Sequence, residues 1–129
     1  MATPTDERSA ATAAIVNWLT GHDEGVYRVV CSIAQRTGAA AASRYMRQCS
    51  ASGANRLPDV EARRCRNAVS DALRHYVLGS VYMVADTLDA MKKVPGNMPA
   101  GLYRDLMVDA AAGADWADVA ESILEVAPA

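Results

Sequence analysis

The side chains in this 129-residue chain with the best claim to chemistry are few and scattered. Two histidines, His22 and His75, and three cysteines, Cys31, Cys49 and Cys65, are all that could serve as nucleophile, proton shuttle or soft metal ligand. The histidines fall in different predicted helices with no carboxylate at ligand spacing. No Cys-x-x-Cys, His-Glu-x-x-His or Gly-x-x-x-x-Gly-Lys-Ser/Thr pattern occurs. The reading is therefore of no catalytic residue, no metal site and no cofactor: His22 is a turn residue, His75 lies on a helix surface, and the cysteines pack as small apolar groups. An odd number of cysteines without a secretory leader predicts three free thiols in a reducing compartment, the cytoplasm.

Arginine is the other chemistry-bearing type, and its distribution is uneven. Between Arg28 and Arg74 stand nine arginines against Asp59, Glu61 and Asp71, a local charge of +6. Residues 1–25 carry −3 and the segment from Asp86 onward −5, so the chain reads acid, base, acid around a net −2. A basic middle of this kind meets phosphate or an acidic protein surface, or is neutralised by the acidic ends of its own fold. Within it Arg63, Arg66 and Arg74 fall within about 80° of one another on a helix, with Arg56 just upstream. These four are the predicted partner-binding residues. A second candidate surface lies in residues 30–47, which resemble a helix-turn-helix with Gly38 at the turn and Ser43, Arg44 and Arg47 on a recognition helix. That match is weak where it should be strongest, because positions that must pack the second helix fall on Arg44 and Arg47. Net acidity also opposes tight nonspecific DNA binding.

The elements that hold these residues are all predicted to be helical. Half of the residues are hydrophobic, yet there is no Phe and only two Trp, so the core is built from Ala, Val, Leu, Ile, Met and Tyr. No stretch alternates with period two. The expectation is an all-α, single compact domain over residues 1–129, with five or six helices around a long central one. Asp6 and Glu7 open helix 1, in which Ala11, Ala14, Ile15, Trp18 and Leu19 recur at helical spacing up to Gly21. Asp23 and Glu24 open helix 2, with Val26, Val29, Val30 and Ile33 as its stripe and an end near Gly38. A weaker alanine-rich helix spans Ala39 to Cys49, and a breaker-rich segment over 50–58 is the predicted mobile loop.

Pro58 starts the long helix, which runs to about Lys93. Its first half has one apolar stripe, Cys65, Val69, Ala72, Leu73 and Tyr76. From Tyr76 to Ala85 it is apolar almost all round, which predicts burial on several sides. Ten such residues are too few to cross a bilayer, which takes about 20. A short helix through Leu102, Leu106 and Ala110 closes near Gly113. In the last helix Asp115 caps, Asp118 follows three residues on, and Val119, Ala120, Ile123 and Leu124 share a face that docks through Trp116.

Two passages carry a family resemblance. Asn17 to Arg28 (NWLTGHDEGVYR), and Gly101 to Leu106 (GLYRDL) with Asp115 to Leu124 (DWADVAESIL), resemble the two ends of a family of short uncharacterised proteins carried by phages, plasmids and other mobile elements. The likeness covers about the outer third at each end, and the stretch from Arg36 to Arg66 has no counterpart in it. The resemblance brings no catalytic residues. It implies an accessory gene product that binds a host protein or ribonucleoprotein complex, such as a counter-defence factor of anti-CRISPR or antirestriction type. A DNA-binding transcriptional regulator is the alternative, and a structural protein, including a homodimer, the third expectation.

Overall fold

A computed structural model of the chain describes residues 9–21, 24–93, 96 and 98–126. They form five α-helices: α1 Ala10–Gly21, α2 Glu24–Ser52, α3 Pro58–Ala90, α4 Ala100–Ala112 and α5 Trp116–Val126. The fold is all-α, with no strand among the described residues. The expected roles of Asp6, Glu7, His22 and Asp23 lie outside the described residues.

Each helix has a local cause. Ser9 caps α1, its hydroxyl accepting the Thr12 N–H at 3.1 Å. Glu24 lies in the first turn of α2 and pairs with Arg28 one turn on, at 2.8 Å. That helix does not stop at Gly38, as the sequence suggested, but runs on to Ser52, 29 residues in all. The reason is composition. Ala39 to Ala42 are the strongest helix formers, and one interior glycine costs only about 1 kcal/mol relative to alanine. The true stop is Gly53, at φ +72°, where Ala54 N–H reaches back to the Cys49 carbonyl at 3.0 Å. The predicted 50–58 loop is correspondingly shorter, with residues 53–57 outside both helices.

Pro58 occupies the first turn of α3, followed by Asp59 and Glu61. Its end has the same geometry as that of α2. Lys93 N–H bonds the Leu88 carbonyl at 2.8 Å, and Lys92 fills the left-handed position, φ 57°, that glycine usually takes. Asp115 caps α5 as expected, accepting the Asp118 N–H at 3.1 Å.

The core gathers Val16 and Leu19 of α1, Val30 and Ala34 of α2, Val69, Leu73 and Val77 of α3, then Ala114 and Trp116, Val119, Ala120 and Ile123 of α5. Leu19, Val30, Val69, Leu73, Val119 and Ile123 are fully buried, each contributing about 1.5–3 kcal/mol of transfer free energy. The α5 helix lies against α1, α2 and α3, and α4 lies against α3 and α1. Two stitches tie α5 down. Trp116 donates its indole N–H to the Ala111 carbonyl at 3.1 Å, and Asp115 N–H donates to the buried Thr12 hydroxyl at 2.9 Å.

The stretch from Tyr76 to Ala85 corrects the sequence reading. Val77 and Ala85 are buried, but Tyr82, Met83 and Val84 are 46, 71 and 56% exposed. The core centres one to two turns earlier, on Val69 to Val77. Among the described residues α1 and α3 make no backbone contact with each other. Beside Val77 to Ala85 an open groove of about 370 Å³ is walled by α1, α3 and α4. Ala11, Ala14 and Trp18, expected on the apolar stripe of helix 1, line this groove with Val84, and Ile15 and Val81 line it while packing against the core. Val29 and Leu124, also expected to be buried, are exposed.

Candidate partner-binding surface

The α2 and α3 helices run antiparallel and extend past the shared core. The register follows from Cys65, whose thiol bonds the Gly38 carbonyl at 3.4 Å, and from Leu57, whose N–H bonds the Tyr45 hydroxyl at 2.9 Å. A Cβ on Gly38 would meet Val69 Cγ2 at 3.9 Å, so the two helices pack closely here. Ala34 and Val69 belong to the main core. Ala41, Tyr45 and Cys49 further along α2 are buried but stand outside it, within the hairpin itself. From Gly38 to Ser52, about 20 Å of helix, the molecule thus has a two-helix arm ending in the loop 53–57.

Residues 36–66, which make this arm and its base, contain seven arginines against Asp59 and Glu61. Arm and base together carry +5, and the rest of the chain −7. Among the described residues, Arg66 at the base is the one arginine of this segment that pairs with an acid outside it, Glu121.

The four predicted partner-binding arginines do not form one free cluster. Arg56 donates through Nε to Glu61, and its Nη1 lies 3.8 Å from the Met46 sulfur. That guanidinium holds the Glu61 carboxyl below its ordinary value. Arg66 reaches across to Glu121 on α5 at 3.3 Å. Arg63 and Arg74 are exposed on α3 without an ion pair among the described residues. Internal neutralisation thus accounts for two of the four.

The alternative set fares differently. Residues 30–47 are one unbroken helix, so the turn that a helix-turn-helix requires is absent. Even so, Ser43, Arg44 and Arg47 are all exposed on the arm. With Arg36 the two arginines span about 80° of the helix, on the side away from Ala34, Ala41, Tyr45 and Cys49, which pack on α3. No acid occurs in α2 after Glu24. Arg64, which the sequence did not single out, is also placed here: its guanidinium lies 4.9 Å from the Tyr45 ring centroid, and its Nη1 donates to Gln48. The signal available was the spacing of Tyr45 and Gln48 on one helix side, but only pairing α2 with α3 brings Arg64 to it.

Nothing else among the described residues forms a polar site. No group of three or more His, Cys, Asp or Glu is placed to hold a metal ion. Cys31, Cys49 and Cys65 are free thiols, the first two buried. His75 is exposed. No helix among the described residues is long and apolar enough to cross a membrane. Comparison of the chain with protein-family models, with curated proteins and with solved structures finds no match to any of them.

Proposed function

We propose that this is a non-enzymatic binding protein that presents its basic arm to an acidic surface of a host protein or ribonucleoprotein complex, as a counter-defence factor of a phage or mobile element. The observation that carries the reading is the separation of charge: +5 on the two-helix arm and its base, −7 on the remainder. A fold that only needed solubility would gain by folding these charges together. Holding them apart gives a directed field that steers an acidic partner to one end of the molecule and repels it from the other. The setting, a mobile element acting on its host, rests on the resemblance of the two chain ends to that family.

A pull-down from bacterial lysate tests the reading, with the wild-type chain beside the double variant Arg44→Glu, Arg47→Glu. Both side chains are exposed and make no ion pair among the described residues, so the melting temperature should stay within about 3 °C. Expected is a stoichiometric protein or ribonucleoprotein held by the wild type and lost by the variant, with binding that weakens as salt rises. Equal retention by both removes the arm from the interface.

A second reading, the DNA-binding regulator, draws on the acid-free outer face of α2, since arginines without competing carboxylates suit phosphate. It does not use a helix-turn-helix. Retention of duplex DNA, in place of protein and with steep salt dependence, would select it.

A further inference from the structure

The outer face of α2 along the arm has a composition that packing does not require. At about 100° per residue, Arg36, Ala40, Ser43, Arg44 and Arg47 fall within a sector of about 100°, and all five are exposed. Ala41, Tyr45 and Cys49, buried in the hairpin, lie on the opposite side of the helix. The α3 helix therefore backs this face without covering it. Between its arginines the sector holds nothing larger than Ala40 and Ser43, and α2 contributes no acid after Glu24.

The cations are in place and the acids stand aside. Arg36 donates Nε to the Ser32 carbonyl of its own helix at 3.4 Å. One turn past Arg44, Gln48 accepts from Arg64, whose guanidinium rests on the Tyr45 ring, so a fourth cation is fixed along one edge. On α3, Glu61 pairs with Arg56. Asp59 lies about 140° round that helix from Arg64, and Asp71 two turns, about 10 Å, towards the body.

The centre of a protein–protein interface is enriched in aromatic residues and methionine, whereas no apolar side chain in this sector exceeds alanine. The exposed Met46 lies outside it, against the Arg56 guanidinium. Nucleic-acid interfaces are more polar and much more positively charged. Shape narrows the choice further. Small residues flanked by arginines make a slim convex ridge, about 16 Å from Arg36 to Arg47, and the major groove of B-form DNA, about 12 Å wide and 8.5 Å deep, admits one α-helix.

We infer, on the DNA-binding reading of the arm, that α2 lays residues 36–47 in the major groove of duplex DNA. Ala40 and Ser43 face the base edges, where bulkier side chains would hold the helix off the groove floor. Arg36, Arg44, Arg47 and Arg64 hold phosphates of the groove walls. No turn within α2 is needed, because α3 supports the helix from behind. The acidic body is repelled by the same phosphates, so the arm enters with the body held away.

Fluorescence anisotropy of the full chain tests this, with a labelled DNA duplex selected by the protein from a random-sequence pool and an RNA duplex of the same sequence. Expected is DNA binding at least about tenfold tighter than RNA binding, since the A-form major groove is too deep and narrow to be read. The logarithm of the binding constant should fall with the logarithm of salt at a slope of about −3 to −4, and Arg44→Ala or Arg47→Ala should each flatten it by about one. Ala40→Trp and, separately, Ser43→Trp should each weaken binding at least about tenfold, with slope and melting temperature unchanged. DNA binding that both tryptophan variants leave intact overturns groove insertion while the arm remains a phosphate-binding surface, and so does equal affinity for the two duplexes. Binding of neither duplex overturns the DNA-binding reading along with it.

Discussion

At the scale of single residues, Thr12 carries more of this fold than its sequence context announces. It is the one polar residue among the buried described residues, at 1% exposure. Its hydroxyl exchanges a hydrogen bond with Ser9 at 2.8 Å and accepts the Asp115 N–H, joining the start of α1 to the start of α5. Replacement by valine keeps the shape but leaves the Asp115 N–H without its acceptor, a loss of about 1–3 kcal/mol. Thermal or urea unfolding of Thr12→Val should register that loss, and an unchanged midpoint would show that water reaches the amide. This bond was not legible in the sequence, because Thr12 sits beside Ala11 and Ala13 and its partner lies 103 residues away. The Asp115 cap was legible, since the capping residue and the amide it satisfies are three positions apart.

At the scale of elements, the sequence pattern located the end of α1 at Gly21, the end of α4 near Gly113 and the start of α5 at Asp115, since a glycine or a cap marks each, although the expected α4 stripe of Leu102, Leu106 and Ala110 is exposed. It failed in two places for different reasons. Gly38 read as a stop, but helix propensity on both sides and the close approach of α3 outweigh one glycine. The apolar run from Tyr76 to Ala85 read as core, because periodicity reports which side chains avoid water and not which of them have a neighbour. Only Val77 and Ala85 are buried there, while Val81 and Val84 line the open groove between α1, α3 and α4. The two valines therefore separate cleanly. Val77→Asp places an unpaired carboxylate in the core and should cost several kcal/mol, enough to abolish a cooperative melt. Val84→Asp, 56% exposed at the groove, should keep the helical spectrum and a cooperative transition. Equal damage from both would place Val84 in the core after all.

At the scale of the whole molecule, the protein is an acidic body with a basic arm, and the two parts differ in what holds them. The body buries side chains from four helices around Val69, Leu73 and Ile123. The arm has two helices, and its buried residues Ala41, Tyr45 and Cys49 pack within that pair. The charge blocks of this arrangement were visible in the sequence, but whether they fold together depends on the length of α2, which Gly38 obscured. Fewer buried contacts per residue mean that the arm should open without the body, a sub-global unfolding of lower free energy. Hydrogen exchange should then show the amides of residues 39–52 and 58–64 exchanging through such an opening, with those around Val69 to Val77 and Val119 to Ile123 exchanging only on global unfolding. Tyr45→Phe sharpens the test. It removes the hydroxyl that accepts the Leu57 N–H at 2.9 Å, a bond worth about 1 kcal/mol, so exchange in the arm should accelerate roughly fivefold. The body should not change. If instead arm and body speed up together, the hairpin and the core of the body are one cooperative unit, and the arm's arginines are held as rigidly as the core itself.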